Sequence, residues 1–114
     1  MIEDFYKDIE TKLEKKGKFP DAYGFDFQLE DGRQGDAYCM LKHLGNEVHI
    51  VWIQAIPTGN GYGTKLMKII TETADKNQVN LSLLVSNERL INFYENLGFV
   101  KTFKPGKMFR IYRG

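Results

Sequence analysis

The first sixteen residues carry apolar side chains at steps of three and four among charged ones. These apolar residues are Ile2, Phe5, Ile9 and Leu13. The period predicts an amphipathic helix over residues 2–16, ended by Gly17 and followed by Pro20. From Tyr23 to Leu29 the apolar residues alternate with polar ones instead, which predicts a strand. A turn is expected at Asp31-Gly32.

The remaining pattern predicts a further run of strands and helices. Strands are expected over 37–44, 47–56, 79–85, 99–103 and 108–112, and helices over 62–76 and, capped by Asn87, up to Gly98. One face of the 62–76 helix carries Leu66, Ile70, Thr73 and Ala74. The resulting order, αβββαβαββ, is typical of an α/β (α+β) domain in which helices flank a mixed central sheet.

Length and composition limit the class of protein. A chain of 114 residues predicts one domain, spanning 1–114, with a single hydrophobic core. The longest apolar stretch, Val48 to Ile53, is interrupted by His49 and is too short to span a bilayer. No basic-then-apolar leader is recognised, and the lone Cys39 fits a reducing compartment. We therefore expect a cytoplasmic protein that does not contact a membrane.

Charge is distributed unevenly along the chain. Residues 1–57 hold seven Lys/Arg and eleven Asp/Glu (−4), whereas residues 58–114 hold nine and four (+5), which recovers the net charge of +1. This asymmetry has two possible explanations. The charges belong to ordinary solvated surface, or the basic half binds an anionic cofactor and the acidic half binds a cationic substrate. The balance is too close to neutral to favour nucleic acid as a partner.

A glycine-rich loop follows the predicted 47–56 strand and opens the 62–76 helix. It reads Thr58-Gly59-Asn60-Gly61-Tyr62-Gly63-Thr64. Strand, glycine loop and helix start together form an anion site, since the first helical N–H groups are unpaired and the helix dipole favours a phosphate. The loop matches neither a P-loop, because no glycine precedes Lys65, nor the Gly-x-Gly-x-x-Gly dinucleotide pattern. A nucleotide-binding module is therefore disfavoured.

The loop resembles the Arg/Gln-x-x-Gly-x-Gly/Ala phosphate loop of the GNAT acetyltransferase superfamily. A second stretch supports this resemblance: Asn87-x-x-Leu90-x-x-Phe93-Tyr94-Glu95-Asn96-Leu97-Gly98-Phe99 is similar to the family's Asn-x-x-Ala-x-x-Phe-Tyr-Glu-Lys-x-Gly-Phe. The likeness covers roughly residues 36–112. Two departures are the replacement of the usual Arg or Gln by Thr58 and of a common basic residue by Asn60. The N-terminal region also has one helix where the family has a strand and two helices.

The resemblance implies acetyl-CoA as co-substrate, without a metal. Acetyl-CoA would lie between the 47–56 and 79–85 strands, where backbone groups of Val51, Trp52 and Ile53 would pair with its pantetheine arm and one N–H would stabilise the oxyanion. Amides of Thr58 to Thr64 would hold the pyrophosphate, with Lys65 or Lys68 nearby. Asn87 is expected to cap its helix and could also touch the pantetheine.

The resemblance also implies catalytic roles. Tyr94 matches the family's usual acid for the leaving thiolate, although core packing beside Phe93 would also explain it. Glu47 lies fourteen residues before Gly61, the spacing of the catalytic glutamate in the histone-acetylating branch, and is the best candidate for the base. His49, on the same strand face, is a second candidate. Trp52 is expected to be core or pocket wall.

Two functional hypotheses follow from the resemblance. The first is an N-acetyltransferase that transfers acetyl to a primary amine, on a protein lysine or a small molecule, by direct attack in a ternary complex. The second, favoured by Thr58 and the short N-terminal region, is a weak or inactive CoA-binding or interaction protein on the same fold. The acceptor, the acyl specificity and the oligomeric state, including a possible homodimer, stay open.

Overall fold

The computed structural model describes residues 2–19, 22–28, 34–55, 61–85 and 87–114. Within these ranges the chain forms three helices, seven strands and one 3₁₀ turn. In chain order they are α1 (Ile2–Lys12), β1 (Glu14–Phe19), β2 (Ala22–Gln28), β3 (Gln34–Leu44), β4 (Glu47–Ala55), α2 (Tyr62–Lys76), β5 (Asn80–Leu84), the 3₁₀ turn (Glu88–Leu90), α3 (Ile91–Asn96), β6 (Val100–Lys101) and β7 (Lys107–Arg110). None of the helices in the described ranges is long and apolar enough to cross a membrane.

All seven strands belong to one mixed sheet, in the order β1-β2-β3-β4-β5-β7-β6. Neighbouring strands are antiparallel throughout, except that β4 and β5 run parallel. A parallel pair needs a crossover, and α2 provides it. The mixed sheet with flanking helices confirms the predicted fold class.

The predicted element order was wrong by one strand at the N terminus. The helix expected over residues 2–16 ends at Lys12, and the following residues form β1, so the order is αββββαβαββ. Leu13 continues the helical spacing of apolar residues and is buried, but it is the last residue bonded to the helix, through Ile9 O at 2.8 Å. The lysine-rich β1 has little strand character of its own. Its pairing with β2 supplies the backbone hydrogen bonds, and Gly17 lies beside a bulge in that ladder rather than at a helix end.

The hydrophobic core lies between the helices and one face of the sheet. On β4 and β5 the buried apolar residues alternate, with Val48 and Ile50 on one strand and Leu81 and Leu83 on the other. The predicted apolar face of α2 is buried against them, and α1 packs beside α2 on the same side of the sheet. Residues between these apolar ones on β4 and β5 therefore point to the opposite face, which we call the far face.

Arg110 on β7 forms hydrogen bonds to both α2 and the end of α3 inside this core. Its guanidinium forms a two-point ion pair with Asp75 of α2, at 2.8 and 2.9 Å, and its Nε donates to the Leu97 carbonyl at the end of α3. The backbone N–H of Arg113 also donates to Asp75, at 2.7 Å. These contacts fix α3 relative to α2 and place Tyr94 of α3 next to the end of β5.

Candidate active site

The parallel strands β4 and β5 separate before β4 ends. Their pairing joins Glu47–Ile50 to Asn80–Leu83, while β4 continues to Ala55. Beyond the paired part lies a cavity of about 230 Å³. It is lined by Ile50, Val51, Trp52, Ile53, Leu83, Leu84, Val85, Leu90 and Tyr94. We call this cavity the strand cleft; a slot of this kind exposes one backbone edge of β4 to an extended ligand.

A β-bulge at Val51 forms the inner wall of the strand cleft. On β3, Met40 pairs with Trp52 and Leu41 pairs with Ile50, so Val51 has no opposite residue on that strand. An extra residue of this kind bends its strand and changes the direction of the backbone groups beside it. The predicted Val51, Trp52 and Ile53 thus lie at the point where the sheet opens. Trp52 is 54% exposed and meets Tyr38 edge-to-face at 6.4 Å, which makes it a wall residue rather than a core residue.

The glycine loop is described only at its end. Thr58, Gly59 and Asn60 lie outside the described residues, so their predicted role stays a prediction. Gly61 has a left-handed conformation (φ 76°), which glycine adopts without strain, and precedes α2 without a side-chain cap. The first helical bond runs from Lys65 N to Gly61 O at 3.0 Å.

The start of α2 therefore presents backbone amides rather than a capping side chain. Tyr62, Gly63 and Thr64 form its first turn, which contains no acidic residue. First-turn amides have no acceptor within their own helix and carry the positive end of its dipole. Lys65 extends over the Tyr62 ring, 5.6 Å from its centroid, and adds a positive charge at this end. Such a helix start suits an anion.

Tyr94 reaches the strand cleft from α3. Its ring packs edge-to-face against Phe93 and Phe99, with centroid distances of 5.1 and 5.8 Å, and it also lines the cavity. The packing beside Phe93 weighed from sequence is therefore present, and the ring also borders the cleft, while the role of Tyr94 as catalytic acid stays a prediction. Burial raises the pKa of the Tyr94 hydroxyl above its ordinary value of 10.0. The hydroxyl is protonated near neutral pH and can donate a proton.

Asn87 precedes the 3₁₀ turn and caps it. Its side-chain oxygen accepts a hydrogen bond from the Arg89 backbone N–H at 3.0 Å. The predicted cap is thus present, although the helix it was expected to open begins as a 3₁₀ turn and becomes α-helical at Ile91. Asn87 is exposed near the Leu90 side of the strand cleft, but its contact with a ligand stays a prediction.

Glu47 and His49 lie together on the far face. They alternate with the buried Val48 and Ile50, as the strand pattern predicted. His49 Nδ1 lies 2.9 Å from the hydroxyl oxygen of Ser82, a fully buried residue that pairs with it across β4 and β5. One Glu47 carboxylate oxygen, Oε2, is buried without a hydrogen-bond partner among the described residues. A buried oxygen without a partner is costly unless water or a ligand donates to it.

The electrostatic surroundings keep His49 neutral. Burial lowers the pKa of the imidazole below 6.5, Glu47 opposes this shift, and three lysines add to it. These lysines are Lys107, Lys42 and Lys104. A neutral imidazole near pH 7 can accept a proton, which is the property that a general base requires.

The structure thus divides the predicted site between the two sides of the sheet. Ile53, Tyr94 and the start of α2 belong to the helix side, whereas Glu47 and His49 lie on the far face. Trp52 also lies on the far face, because it pairs with Met40 of β3 while His49 pairs with Lys42, two residues further along the same strand. Glu47 and Val51 are four residue steps apart along the strand, about 13 Å at 3.3 Å per residue. Sequence reasoning missed Ser82, although its position between Leu81 and Leu83 would have placed it on the same face as His49.

The chain matches the model of the acetyltransferase (GNAT) family over residues 10–99. Solved structures with a similar fold include the ribosomal-protein-S18-alanine N-acetyltransferase from Escherichia coli (TM-score 0.67, 20% identity, covering 96% of this chain and 88% of that one). Another is the PaiA N-acetyltransferase from Thermoplasma acidophilum in complex with coenzyme A (TM-score 0.62, 20% identity, 81% of this chain). This chain spans only 62% of the PaiA protein.

An acyl-CoA N-acyltransferase from Pseudomonas aeruginosa is also similar (TM-score 0.59, 19% identity, covering 81% of this chain and 70% of that one). No curated protein sequence matches this chain. At these identities the solved structures establish the fold alone, whereas the family match covers most of the chain. On that match, together with a mixed sheet that opens between its two parallel strands, the chain belongs to the GNAT acetyltransferase family.

Proposed function

We propose that this protein is an N-acetyltransferase that moves the acetyl group of acetyl-CoA to a primary amine. The observation that carries the proposal is the strand cleft, in which a bulged backbone edge of β4 faces the partly buried Tyr94. Membership in the GNAT family and the coenzyme A in the PaiA structure support the same cofactor.

The residues at the cleft fit the chemistry of acetyl-CoA. An extended pantetheine arm has amide groups that can pair with the unpaired edge of β4 beyond Ile50, as an added strand would. The pyrophosphate suits the uncapped start of α2, with the charge of Lys65 nearby. A backbone N–H of the Val51 bulge would hold the thioester carbonyl oxygen and stabilise its developing negative charge.

The reaction we propose is direct attack within a ternary complex. The nitrogen of the neutral amine bonds to the thioester carbonyl carbon, and the bond from that carbon to sulfur breaks. The amine loses one proton to a base, and the departing thiolate gains one from Tyr94. Amide and free thiol are the products. The base then releases its proton to water and Tyr94 regains one from water, so no further reactant is needed.

The pKa shifts of the two titrating groups favour these roles. Burial moves the pKa of Tyr94 upward and that of His49 downward, so the first keeps its proton and the second is free to take one at neutral pH. Glu47, with its unpartnered oxygen, is the alternative base, acting through a water molecule. Both lie on the far face, so the amine would approach from that side while acetyl-CoA lies on the other.

The first experiment measures cofactor binding and turnover separately. Acetyl-CoA at about 100 times its dissociation constant adds ~2.7 kcal/mol of stability, which should raise the melting temperature by roughly 10 °C. Tyr94→Phe should keep this shift but lose about 100-fold or more in kcat. Tyr112→Phe, an exposed tyrosine near the C terminus, is the matched control.

Three outcomes are informative. A melting shift with turnover that depends on Tyr94 supports the proposal. A shift without acetylation of any amine supports the CoA-binding alternative instead. No shift at millimolar acetyl-CoA contradicts both.

A further inference from the structure

A second cavity, of about 400 Å³, lies between the start of α3 and the β6–β7 hairpin. Its lining combines an apolar floor with charged walls. The floor includes Val85, Ile91 and Met108, and the walls carry Lys101, Lys104, Lys107 and Glu88. We call the three lysines the hairpin lysines. With three positive charges against one negative charge, the cavity favours an anionic occupant.

This hairpin cavity adjoins the strand cleft. Val85, the residue after β5, lines both cavities. Its backbone N–H donates to the Gly106 carbonyl at 2.6 Å, which fastens the hairpin turn to the end of β5. Lys107 and Lys104 are also close enough to lower the pKa of His49 on the far face. A molecule whose amine reaches the strand cleft would therefore have its neighbouring groups beside the hairpin lysines.

The tip of the hairpin also presents an aromatic side chain to solvent. Phe103 is fully exposed, between Lys101 and Lys104 in sequence. The turn that displays it is fixed by Thr102, whose hydroxyl donates to Lys107 O at 3.1 Å and accepts from Lys104 N at 3.2 Å. Aromatic side chains are enriched at protein–protein interfaces, so Phe103 would supply the apolar part of a contact with another polypeptide.

We propose that the acceptor is a polypeptide segment in which acidic residues and an apolar residue flank the reacting amine. This proposal rests on the proposed acetyltransferase function and narrows its acceptor class. Carboxylates beside the amine would pair with the hairpin lysines, and the apolar residue would cover Phe103. The proposal disfavours the alternative, raised by the uneven charge of the two chain halves, that the acceptor is a cationic small molecule, because a polyamine would meet three like charges here.

Nucleic acid is the other anionic macromolecule to consider. Binding of a single strand relies on several aromatic platforms and a basic groove that follows the phosphate backbone. The hairpin offers one fully exposed ring, Phe103, and the whole chain has a net charge of +1. A short acidic peptide segment fits this limited surface better.

The test is direct binding, which does not depend on turnover. A fluorescein-labelled peptide carrying Leu and Lys among several Glu residues is titrated with the protein and followed by fluorescence anisotropy, beside a peptide with every Glu replaced by Gln. The acidic peptide should bind more tightly, and added salt should weaken it. Lys104→Gln and Lys107→Gln should each weaken it by roughly 2- to 5-fold, the range for exposed charge pairs. Phe103→Ser should weaken both peptides.

The control is Lys7→Gln, an exposed lysine on α1 away from both cavities, which should leave binding unchanged. Equal binding of the acidic and neutral peptides, or equal losses in Lys7→Gln and Lys104→Gln, overturns the proposal. So does tighter binding of a single-stranded RNA with the same number of charges. The acetyl-CoA melting shift is measured on every variant, so loss of the cofactor site is recognised separately from loss of peptide binding.

Discussion

Removing Asp75 should destabilise the protein more than removing its partner Arg110, although both changes break the same ion pair. The reason is the difference in burial, since the Arg110 side chain is 4% exposed and that of Asp75 is 25% exposed. In Asp75→Ala a guanidinium stays inside the core without its counter-charge. In Arg110→Met the remaining carboxylate can still reach water and keeps the Arg113 N–H.

The size of the effect follows from this asymmetry. Deleting one partner of a buried ion pair costs ~3–5 kcal/mol, and nearly complete burial of Arg110 places Asp75→Ala at about 4 kcal/mol. Arg110→Met should cost about 2–3 kcal/mol, because the thioether side chain fills much of the space and Asp75 is partly hydrated. The double variant should cost about 2 kcal/mol, less than Asp75→Ala alone, since no unpaired charge is left in the core.

Urea unfolding followed by far-ultraviolet circular dichroism measures these differences as changes in the midpoint at constant slope. Glu72→Ala changes an exposed residue on the same helix and controls for the high helix propensity of alanine; its unfolding midpoint should differ little from that of the wild type. A double variant that loses the sum of the two single losses would contradict the argument. Equal losses in Asp75→Ala and Arg110→Met would contradict it as well.

Three further predictions concern Gly24, His49 and the pH dependence of the Asp75 ion pair. Gly24→Ala should lower the free energy of unfolding by ~1–3 kcal/mol, because the new Cβ would collide with the Tyr38 hydroxyl and lie only 3.1 Å from Cζ of the Tyr38 ring. Trp52 packs on Tyr38, so a change in Trp52 fluorescence would reveal the displacement of the tyrosine. If His49 is the base, kcat/KM should fall with decreasing pH only below 6.5, the ordinary pKa of histidine. Glu47 raises the His49 pKa and Lys107 lowers it, so Glu47→Gln should move this fall to lower pH and Lys107→Met should move it to higher pH. A pH profile that moves in neither variant would refute the role of His49. Burial raises the pKa of Asp75, but hydrogen bonds and charge from Arg110 and Arg113 outweigh it and lower the pKa below 3.8. Its stabilisation should therefore be complete above pH 3.8 and disappear at lower pH, so that wild type and Asp75→Ala converge in acid-unfolding curves.

The fold was largely predictable because its central elements have strong periodicity. Alternation along β4 placed Glu47 and His49 on one face, and the 3.6-residue period of α2 placed Leu66 and Ile70 in the core. The N-terminal strand β1 was not predictable in this way. Its sequence is mostly lysine and glycine, and only the ladder with β2, formed after the chain folds back, makes it a strand.

The site was predictable in part, for similar reasons. Tyr94 and the residues of the strand cleft came from motifs that are local in sequence. The bulge at Val51 depends on register with β3, and the contact between His49 and Ser82 joins residues 33 positions apart. Neither has a local signal that fixes it. The hairpin cavity also requires α3, the end of β5 and β7 to meet, which composition alone does not indicate.

The single parallel pair in the sheet has a consequence for the order in which the molecule folds. Strands β1, β2 and β3 each pair antiparallel with the next strand in the chain, so β1 to β4 can form one hairpin after another. Glu47 pairs with Asn80 only after the intervening crossover has closed. Such non-local pairing is slow, because the chain loses the conformational entropy of loop closure before the strand contacts stabilise it. The edge of the strand cleft is therefore expected to form late and to open early, with faster amide hydrogen exchange in β5 than in β3. A ligand lying along β4 would slow that exchange, so order at this edge depends on what occupies it.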